Sequence, residues 1–257
     1  MSVRPAASPR MPARLRRAGA IGAALVAAAT LVACGSADDD GAEDTAARGD
    51  HACDFAEVGG AARPVSAPPE TVPSTGEVRL DLRTGVGDIP VVLDREAAPC
   101  AVASTVHLAE SSFYVTTACH RLTTAESGMS FLQCGDPSGR GSGGPGYAVP
   151  SEPARGLEPA EGQSGGGDEG DAEEVVFPRG SVVLADRRVP DSGGSQFLLI
   201  YADTALPADQ TLMGTVTEDG LEVLEKIAEA GSDDSFGEGD GRPETGVRLR
   251  AVDVTLD

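Results

Sequence analysis

From residue 77 onward the chain is a series of short runs in which every second side chain is apolar. That period of two limits the fold more than any other feature. In "EVRLDLRT" Val78, Leu80 and Leu82 alternate with charged residues, "GVGD" turns the chain, and Ile89, Val91 and Leu93 resume the pattern. Alternation on both sides of a Gly-containing turn predicts a β-hairpin with one buried face. The stretch "CHRLTTAESGMSFLQCGD" supplies a second hairpin, and "SVVLA" and "SQFLLIY" read as short, mostly apolar strands. The closing "VRLRAVDVTLD" returns to strand, with a slip of one residue near Ala251 that a bulge would absorb. Two segments change to helical spacing. "AAPCAVASTVHLAESSF" puts Val102, Val106 and Ala109 on one face, with Pro99 near its start. "EDGLEVLEKIAEAG" aligns Leu221, Leu224 and Ile227, with Asp219 as candidate N-cap and Gly231 as the stop. Many short strands with two helices predict a mainly β fold, a closed barrel rather than a wound α/β sheet.

The first residues carry an address. Arg4, Arg10, Arg14, Arg16 and Arg17 precede the apolar run "AGAIGAALVAAATLVA" and then Cys34. Basic lead, short apolar run and small residues, in that order, predict a secretory signal over residues 1–33. The run is shorter than the roughly 20 residues that span a bilayer. "LVAC", Leu31 to Cys34, is similar to a bacterial lipobox, in which Cys34 would be lipidated; the rival reading is an ordinary cleaved signal with an incidental cysteine. "GSADDDGAEDTAARGD" follows, acidic and without aromatics, and reads as part of a disordered tether and lead-in over 34–75, extended and Pro/Ala-rich from 51. The expected location is the extracytoplasmic face of the cell membrane, reached by export and held by the lipid anchor.

Residues 76–257 are long enough for one domain with a sizeable core. Forty-one acidic against 20 basic side chains give a formal charge of −21, which argues against nucleic acid as a partner. The acids cluster in the tether, in an inserted Gly/Pro/Glu segment over 151–174, and around Asp233 to Glu244, all read as solvated loops. Besides Cys34 there are four cysteines, Cys53, Cys100, Cys119 and Cys134. An even number in an exported chain points to two disulfides, with three connectivities open. Cys119 and Cys134 flank the second hairpin, which favours that pair. No C-x-x-C or H-x-x-x-H spacing supports zinc as the alternative.

Several motifs dissolve on inspection. "GSGGPG" matches G-x-G-x-x-G but opens no helix, so a dinucleotide site is rejected. "GGSQF" has Phe197 where a nucleophile elbow needs glycine. His120, alone in a strand, reads as a hydrogen-bonded structural residue. What stands out are Arg121 in "HRL" and Gln133 in "FLQ", polar groups on otherwise apolar runs.

Three ordered blocks, "FYVTTACHRLTTAESGMSFLQCGDPSGRGSGGPGY", "GSVVLADRRVPDSGGSQFLLIY" and "LMGTVTEDGLEVLEKIAEAG", resemble cyclophilin-type peptidyl-prolyl isomerases. They are most similar to exported actinobacterial lipoprotein members, with "QCGDPSGRGSGGPGY" the most specific part. The resemblance covers about residues 77–257. It implies a closed eight-stranded antiparallel barrel capped by two helices, with an active groove on the outer surface and neither cofactor nor metal. Arg121 falls on the family's catalytic arginine and Gln133 on its substrate-binding glutamine. The backbone at Ala185 and Asp186 would hold an extended, proline-containing polypeptide, and the protein would act as a monomer.

The proline pocket departs from the family pattern. Ser130 stands where a phenylalanine is usual, Phe131 takes a methionine position, and Leu198 replaces the second phenylalanine. Leu206 matches the family leucine, Ala205 stands at a common tryptophan position, Gln210 replaces a histidine and Asp186 an asparagine. Fewer rings imply a weaker grip on proline and on cyclosporin-type inhibitors. Three functional readings follow: an isomerase of exported proteins, a groove that binds peptides with little turnover, or an anchored structural protein.

Overall fold

The computed structural model describes residues 49–160, 173–186 and 189–256. The signal, Cys34, the tether up to residue 48 and residues 161–172 of the inserted segment lie outside the described residues. In chain order, β1 (Asp50–Ala52) and β2 (Thr71–Pro73) lead to the hairpin of β3 (Glu77–Thr84) and β4 (Asp88–Asp94), then α1 (Pro99–Glu110). The second hairpin is β5 (Arg121–Thr123) and β6 (Phe131–Cys134), joined through a single 3-10 turn. β7 (Glu174–Phe177), β8 (Ser181–Leu184), β9 (Phe197–Ile200), β10 (Thr204–Pro207) and β11 (Thr211–Val216) precede α2 (Glu218–Glu229). β12 (Asp240–Gly241) and β13 (Leu249–Leu256) end the described chain.

Among the described residues, nine strands form one antiparallel sheet in the order β12-β5-β6-β9-β8-β11-β4-β3-β13, and β7 pairs separately with β10. The mainly β architecture with two helices is as expected; the strand count and the closure differ. β12 occupies the outer edge of β5, pairing Asp240 with Thr123 and Gly241 with Leu122, so β5 cannot zip to β13. Only the run-in residues meet, where the Cys119 amide donates to the Val247 carbonyl and the Leu249 amide to the Thr117 carbonyl. The sheet is therefore curled but not one closed eight-strand ladder. The slip expected near Ala251 is present, with Leu249 opposite Thr84 and Ala251 opposite Arg83.

Alternation decides the inside. Val78, Leu80, Leu82, Ile89, Val91 and Leu93 are all buried in the core that α1 and α2 also cover. Full burial of each such side chain stabilises the fold by roughly 1.5–3 kcal/mol. On α2, Leu221, Leu224 and Ile227 face inward, and Gly231, at φ +81°, follows its last turn. The N-cap is Thr217, whose hydroxyl accepts from the Gly220 amide, not Asp219. Asp219 lies instead in the first turn beside Glu218, where carboxylates suit the positive end of the helix. A Cβ at Gly220 would sit 2.7 Å from Val216 and 3.0 Å from the Pro90 carbonyl, so glycine sets how closely α2 approaches β4.

Helix α1 has no capping side chain of its own. Glu152, from the inserted segment, supplies it: its carboxylate accepts from the Cys100 and Ala101 amides at 3.0 and 2.9 Å. The same segment runs on against the protein, with the Ala154 amide on the Gln210 carbonyl and the Ala160 amide on the Glu174 carbonyl. The disulfides are Cys53–Cys100 and Cys119–Cys134. The first fastens the lead-in to α1, and the second ties the approach to β5 to the end of β6.

Candidate active site

Strands β5 and β6 place Arg121 directly opposite Gln133. The Arg121 guanidinium is half-buried and held by a fork: Nε donates to Asp240 Oδ1 at 2.8 Å and Nη2 to Oδ2 at 2.6 Å. Its carbon lies 5.1 Å from the centre of the Phe131 ring, within cation–π range. Two parallel charge-assisted bonds fix the plane of a guanidinium as one bond cannot. The Nη1 hydrogens lie outside that pair.

Asp240 sits in the acidic stretch read as a solvated loop; Asp233, Asp234, Glu238 and Glu244 are exposed as that reading expects, while Asp240 is partly buried. The Asp233 carboxylate accepts from the amides of Ser235 and Arg242, and Asp234 from the Gly239 amide. Gly241 is packed so closely that a Cβ would stand 2.3 Å from Asp233 Oδ1. These acids fold their own loop and deliver one carboxylate to Arg121.

Gln133 is tied sideways. Its Nε2 donates to Gln196 Oε1 at 2.9 Å, and Gln196 Nε2 donates to the Gly143 carbonyl at 3.0 Å. One Nε2 hydrogen of Gln133 is thereby used, and the second remains for a ligand carbonyl. Ala185 and Asp186 follow β8 and line a cavity of about 220 Å³ together with Gln133 and Gln196. The Ala185 amide is occupied by the Gln196 carbonyl at 2.9 Å.

Phe131, Leu198 and Leu206 come together in one apolar cluster with Phe177, Val183 and Ile200, separate from the main core. They are only 2, 7 and 8% exposed, and Ala154 and Leu157 of the inserted segment pack against the same cluster. Gln210 is buried beside Thr211, with its carbonyl accepting from Ala154. Ser130 serves the frame: its amide donates to the Thr204 hydroxyl and its carbonyl accepts from the Tyr201 amide.

Behind the site, Asp136 organises the glycine-rich loop. Its buried carboxylate accepts from the Ser138 hydroxyl and from the amides of Ser138, Arg140, Gly141 and Ser142. Burial opposes its ionisation, but the Ser138 hydroxyl and the surrounding amides prevail and hold its carboxyl below the usual range. His120, buried next to Arg121, has its imidazolium form disfavoured chiefly by that burial, against the partial support of Asp136. Among the described residues, the His/Cys/Asp/Glu grouping close enough to share an ion is His51, Cys53 and Cys100, whose two sulfurs are joined as a disulfide.

Sequence reasoning missed two groups. Gln196 lies in "GGSQF", a run that invites comparison only with a nucleophile elbow, and nothing in its local pattern distinguishes it from a surface glutamine. Asp240 is one acid among many, and only the pairing of β12 with β5 singles it out.

Comparison with known proteins identifies the family. The family model described as cyclophilin type peptidyl-prolyl cis-trans isomerase/CLD matches residues 79–254. A probable peptidyl-prolyl cis-trans isomerase B of Mycobacterium tuberculosis is 39% identical over 191 residues, covering 72% of this chain and 59% of that protein. Its Mycobacterium leprae counterpart is 37% identical over 196 residues, covering 75% and 62%. The chain thus spans about three fifths of the length of these relatives. A cyclophilin-type peptidyl-prolyl cis-trans isomerase of Cryptosporidium parvum, represented by two crystal structures of which one was solved in the presence of the dipeptide Ala-Pro, superposes with a TM-score of 0.52 at 22 and 21% identity. The match covers 71 and 70% of this chain and 98 and 99% of those structures, and at that identity it speaks for the fold. With a family match over most of the domain and relatives this similar, the chain belongs to the cyclophilin-type peptidyl-prolyl cis-trans isomerase family.

Proposed function

We propose that this protein is a peptidyl-prolyl cis-trans isomerase acting on X-Pro bonds of exported proteins as they fold, held at the outer face of the membrane through a lipid on Cys34. One observation carries the catalytic part: a guanidinium fixed by a two-point carboxylate, standing opposite a glutamine that keeps a donor for substrate.

Rotation about an X-Pro bond must break amide resonance, a barrier of about 18–20 kcal/mol, and uncatalysed it takes tens to hundreds of seconds. In the twisted state the prolyl nitrogen recovers its lone pair and becomes a good acceptor. Arg121 donates to that nitrogen and so stabilises the twisted state more than the planar one. A preorganised donor of this kind lowers a barrier by about 3–4 kcal/mol. Gln133 holds the carbonyl next to the proline, the backbone at Ala185 and Asp186 aligns the chain, and Phe131, Leu198 and Leu206 form the apolar floor for the ring. No proton is transferred and no covalent bond is made. The names of the mycobacterial relatives, and the Ala-Pro used with the Cryptosporidium protein, support the same reading.

The test is isomerisation of X-Pro peptides and of a slowly refolding protein by the full chain, wild type against Arg121→Ala. The reading requires the variant to lose about 10²–10³-fold in rate while its melting curve stays in place. A second reading, a peptide-binding module with little turnover, draws on the burial of Phe131, Leu198 and Leu206, and on Ser130 and Ala205 where aromatics are usual. Proline-dependent binding with wild type and variant both at the uncatalysed rate would establish it instead.

A further inference from the structure

The row of side chains that forms the candidate site does not stop at Arg121. Val183, Leu198, Gln133 and Arg121 stand opposite one another on β8, β9, β6 and β5. β12 is the next strand, with Asp240 opposite Thr123 and Gly241 opposite Leu122. Continued by one residue, that antiparallel register sets Arg242 level with Arg121, and opposite residues of such a pair project from the same face. Asp240, two residues from Arg242, shares that face, since its carboxylate reaches Arg121. The Arg242 guanidinium in turn lies 5.8 Å from the centre of the Phe236 ring and 3.7 Å from the Asp233 carboxylate.

Phe236 is the exception among the phenylalanines. Phe55, Phe113, Phe131, Phe177 and Phe197 are at most 9% exposed, and Phe236 is 56% exposed. The loop that displays it is fastened. The Phe236 amide donates to the Asp240 carbonyl at 2.9 Å and the Thr124 amide to the Gly239 carbonyl at 2.8 Å. A Cβ at Gly239, where φ is +68°, would stand 2.7 Å from the Thr124 hydroxyl and 2.8 Å from the Ser127 amide, so the loop lies flush on the β5–β6 connection. An aromatic ring is thus held open to solvent, at a fixed place, one strand beyond the guanidinium.

We propose that Phe236 is a specificity-determining residue that receives an apolar side chain of the substrate about three residues from the proline, on the flank that leaves past Arg121; this rests on the isomerase reading above. In the sheet order Gln133 and the end of β8 lie on one side of Arg121, and β12 lies on the other. A peptide laid along the row therefore runs on to the ring. β12 is one strand spacing of about 4.8 Å from β5, while an extended peptide advances about 3.3 Å per residue. Adding the 5.8 Å from Arg242 to the ring gives about 10 Å, or about three residues. Arg242 already takes the cation–π contact on Phe236, so what the ring offers a substrate is apolar surface. The exposed carboxylates of Asp233, Asp234 and Glu238 in the same loop repel an acidic side chain there.

The experiment follows isomerisation by the full chain on peptides that carry Gly, Leu or Glu three residues from the proline, first on one flank and then on the other. Wild type should favour Leu over Gly by about two- to tenfold in kcat/KM, the worth of one aromatic contact, on one flank alone, and should disfavour Glu there. Phe236→Ala should bring Leu and Gly level through KM in protein whose melting curve is unchanged. Phe236→Leu should keep part of the preference. Val86→Ala, which trims an exposed residue on the distant β3–β4 turn, should keep all of it. Equal rates for Leu and Gly on both flanks in wild type, or a preference that survives Phe236→Ala, would overturn the proposal. Loss of the isomerase reading looks different, namely absence of Arg121-dependent rate on every peptide. In that event binding decides alone: the Leu peptide must shift the Phe236 ring and Gly237 amide resonances more than the Gly peptide does, and equal shifts sink the proposal.

Discussion

Asp240 Oδ2 lies 2.6 Å from Arg121 Nη2, and its second oxygen takes the Nε hydrogen, so one carboxylate sets both the plane and the direction of the guanidinium. Arg121 comes from a three-residue strand, and without a partner its long side chain would sample many rotamers. Ordering such a chain costs about 1.5–2 kcal/mol, which Asp240 offsets before substrate arrives. In the mechanism proposed above Asp240 is a positioning residue, and it needs no contact with the peptide to matter.

Asp240→Asn keeps one acceptor and breaks the fork, while Asp240→Ala removes both acceptors. Isomerisation kcat should fall by about tenfold in the alanine variant, equivalent to about 1.4 kcal/mol, and less in the asparagine variant. KM should move little. Combined with Arg121→Ala, the loss should be far from additive, since the two residues act as one unit. Additive losses would mean that Asp240 works elsewhere.

Asp136→Asn should destabilise the protein by about 2–3 kcal/mol, because a buried carboxylate that gathers several amides makes charge-assisted bonds an amide oxygen cannot replace. Urea unfolding at neutral pH measures this directly. The defect should extend to substrate binding, since the loop ordered by Asp136 carries the Gly143 carbonyl that holds Gln196.

Acid should weaken the fold in two steps of the same sign. The folded pKa of His120 is below its ordinary 6.5, so the unfolded chain takes up the proton first and stability falls as pH drops from about that value. Asp136, held below 3.8, adds a second loss at lower pH. Glu152 acts the other way, because burial raises its carboxyl above 4.5 and its protonated form favours the fold. In a series of melts from pH 7.5 to pH 5, His120→Gln should flatten the decline. An unchanged slope would assign the decline to other groups.

Reduction should cost stability at both disulfides, with different consequences. Chain-entropy arithmetic gives about 3 kcal/mol for the 15-residue separation of Cys119–Cys134 and about 4 kcal/mol for the 47 of Cys53–Cys100. Cys119→Ser with Cys134→Ser loosens the pair of strands that carries Arg121 and Gln133, so rates should fall for every peptide. The Cys53 and Cys100 serine variant frees the lead-in from α1 and should lose stability with less effect on rate.

Much of this protein can be read from its sequence by local rules. A period of two buries one face of a strand whatever surrounds it, which is why the β3–β4 hairpin, the bulge at Ala251 and the apolar face of α2 were all legible. Arg121 and Gln133 were legible too, as polar groups on apolar runs within blocks that resemble a family. Tertiary structure decided the rest, because it depends on residues far apart in the chain. Glu152 caps a helix that begins some fifty residues earlier, Asp240 reaches Arg121 across a separation of 119, and Gln196 reaches Gln133 across 63. The open sheet has the same origin, since β12 takes the edge of β5 that a closed barrel would use. So does the place of the Phe236 ring, in a stretch with no periodicity, set one strand beyond Arg121 by backbone hydrogen bonds that any sequence could make and only this fold brings within reach.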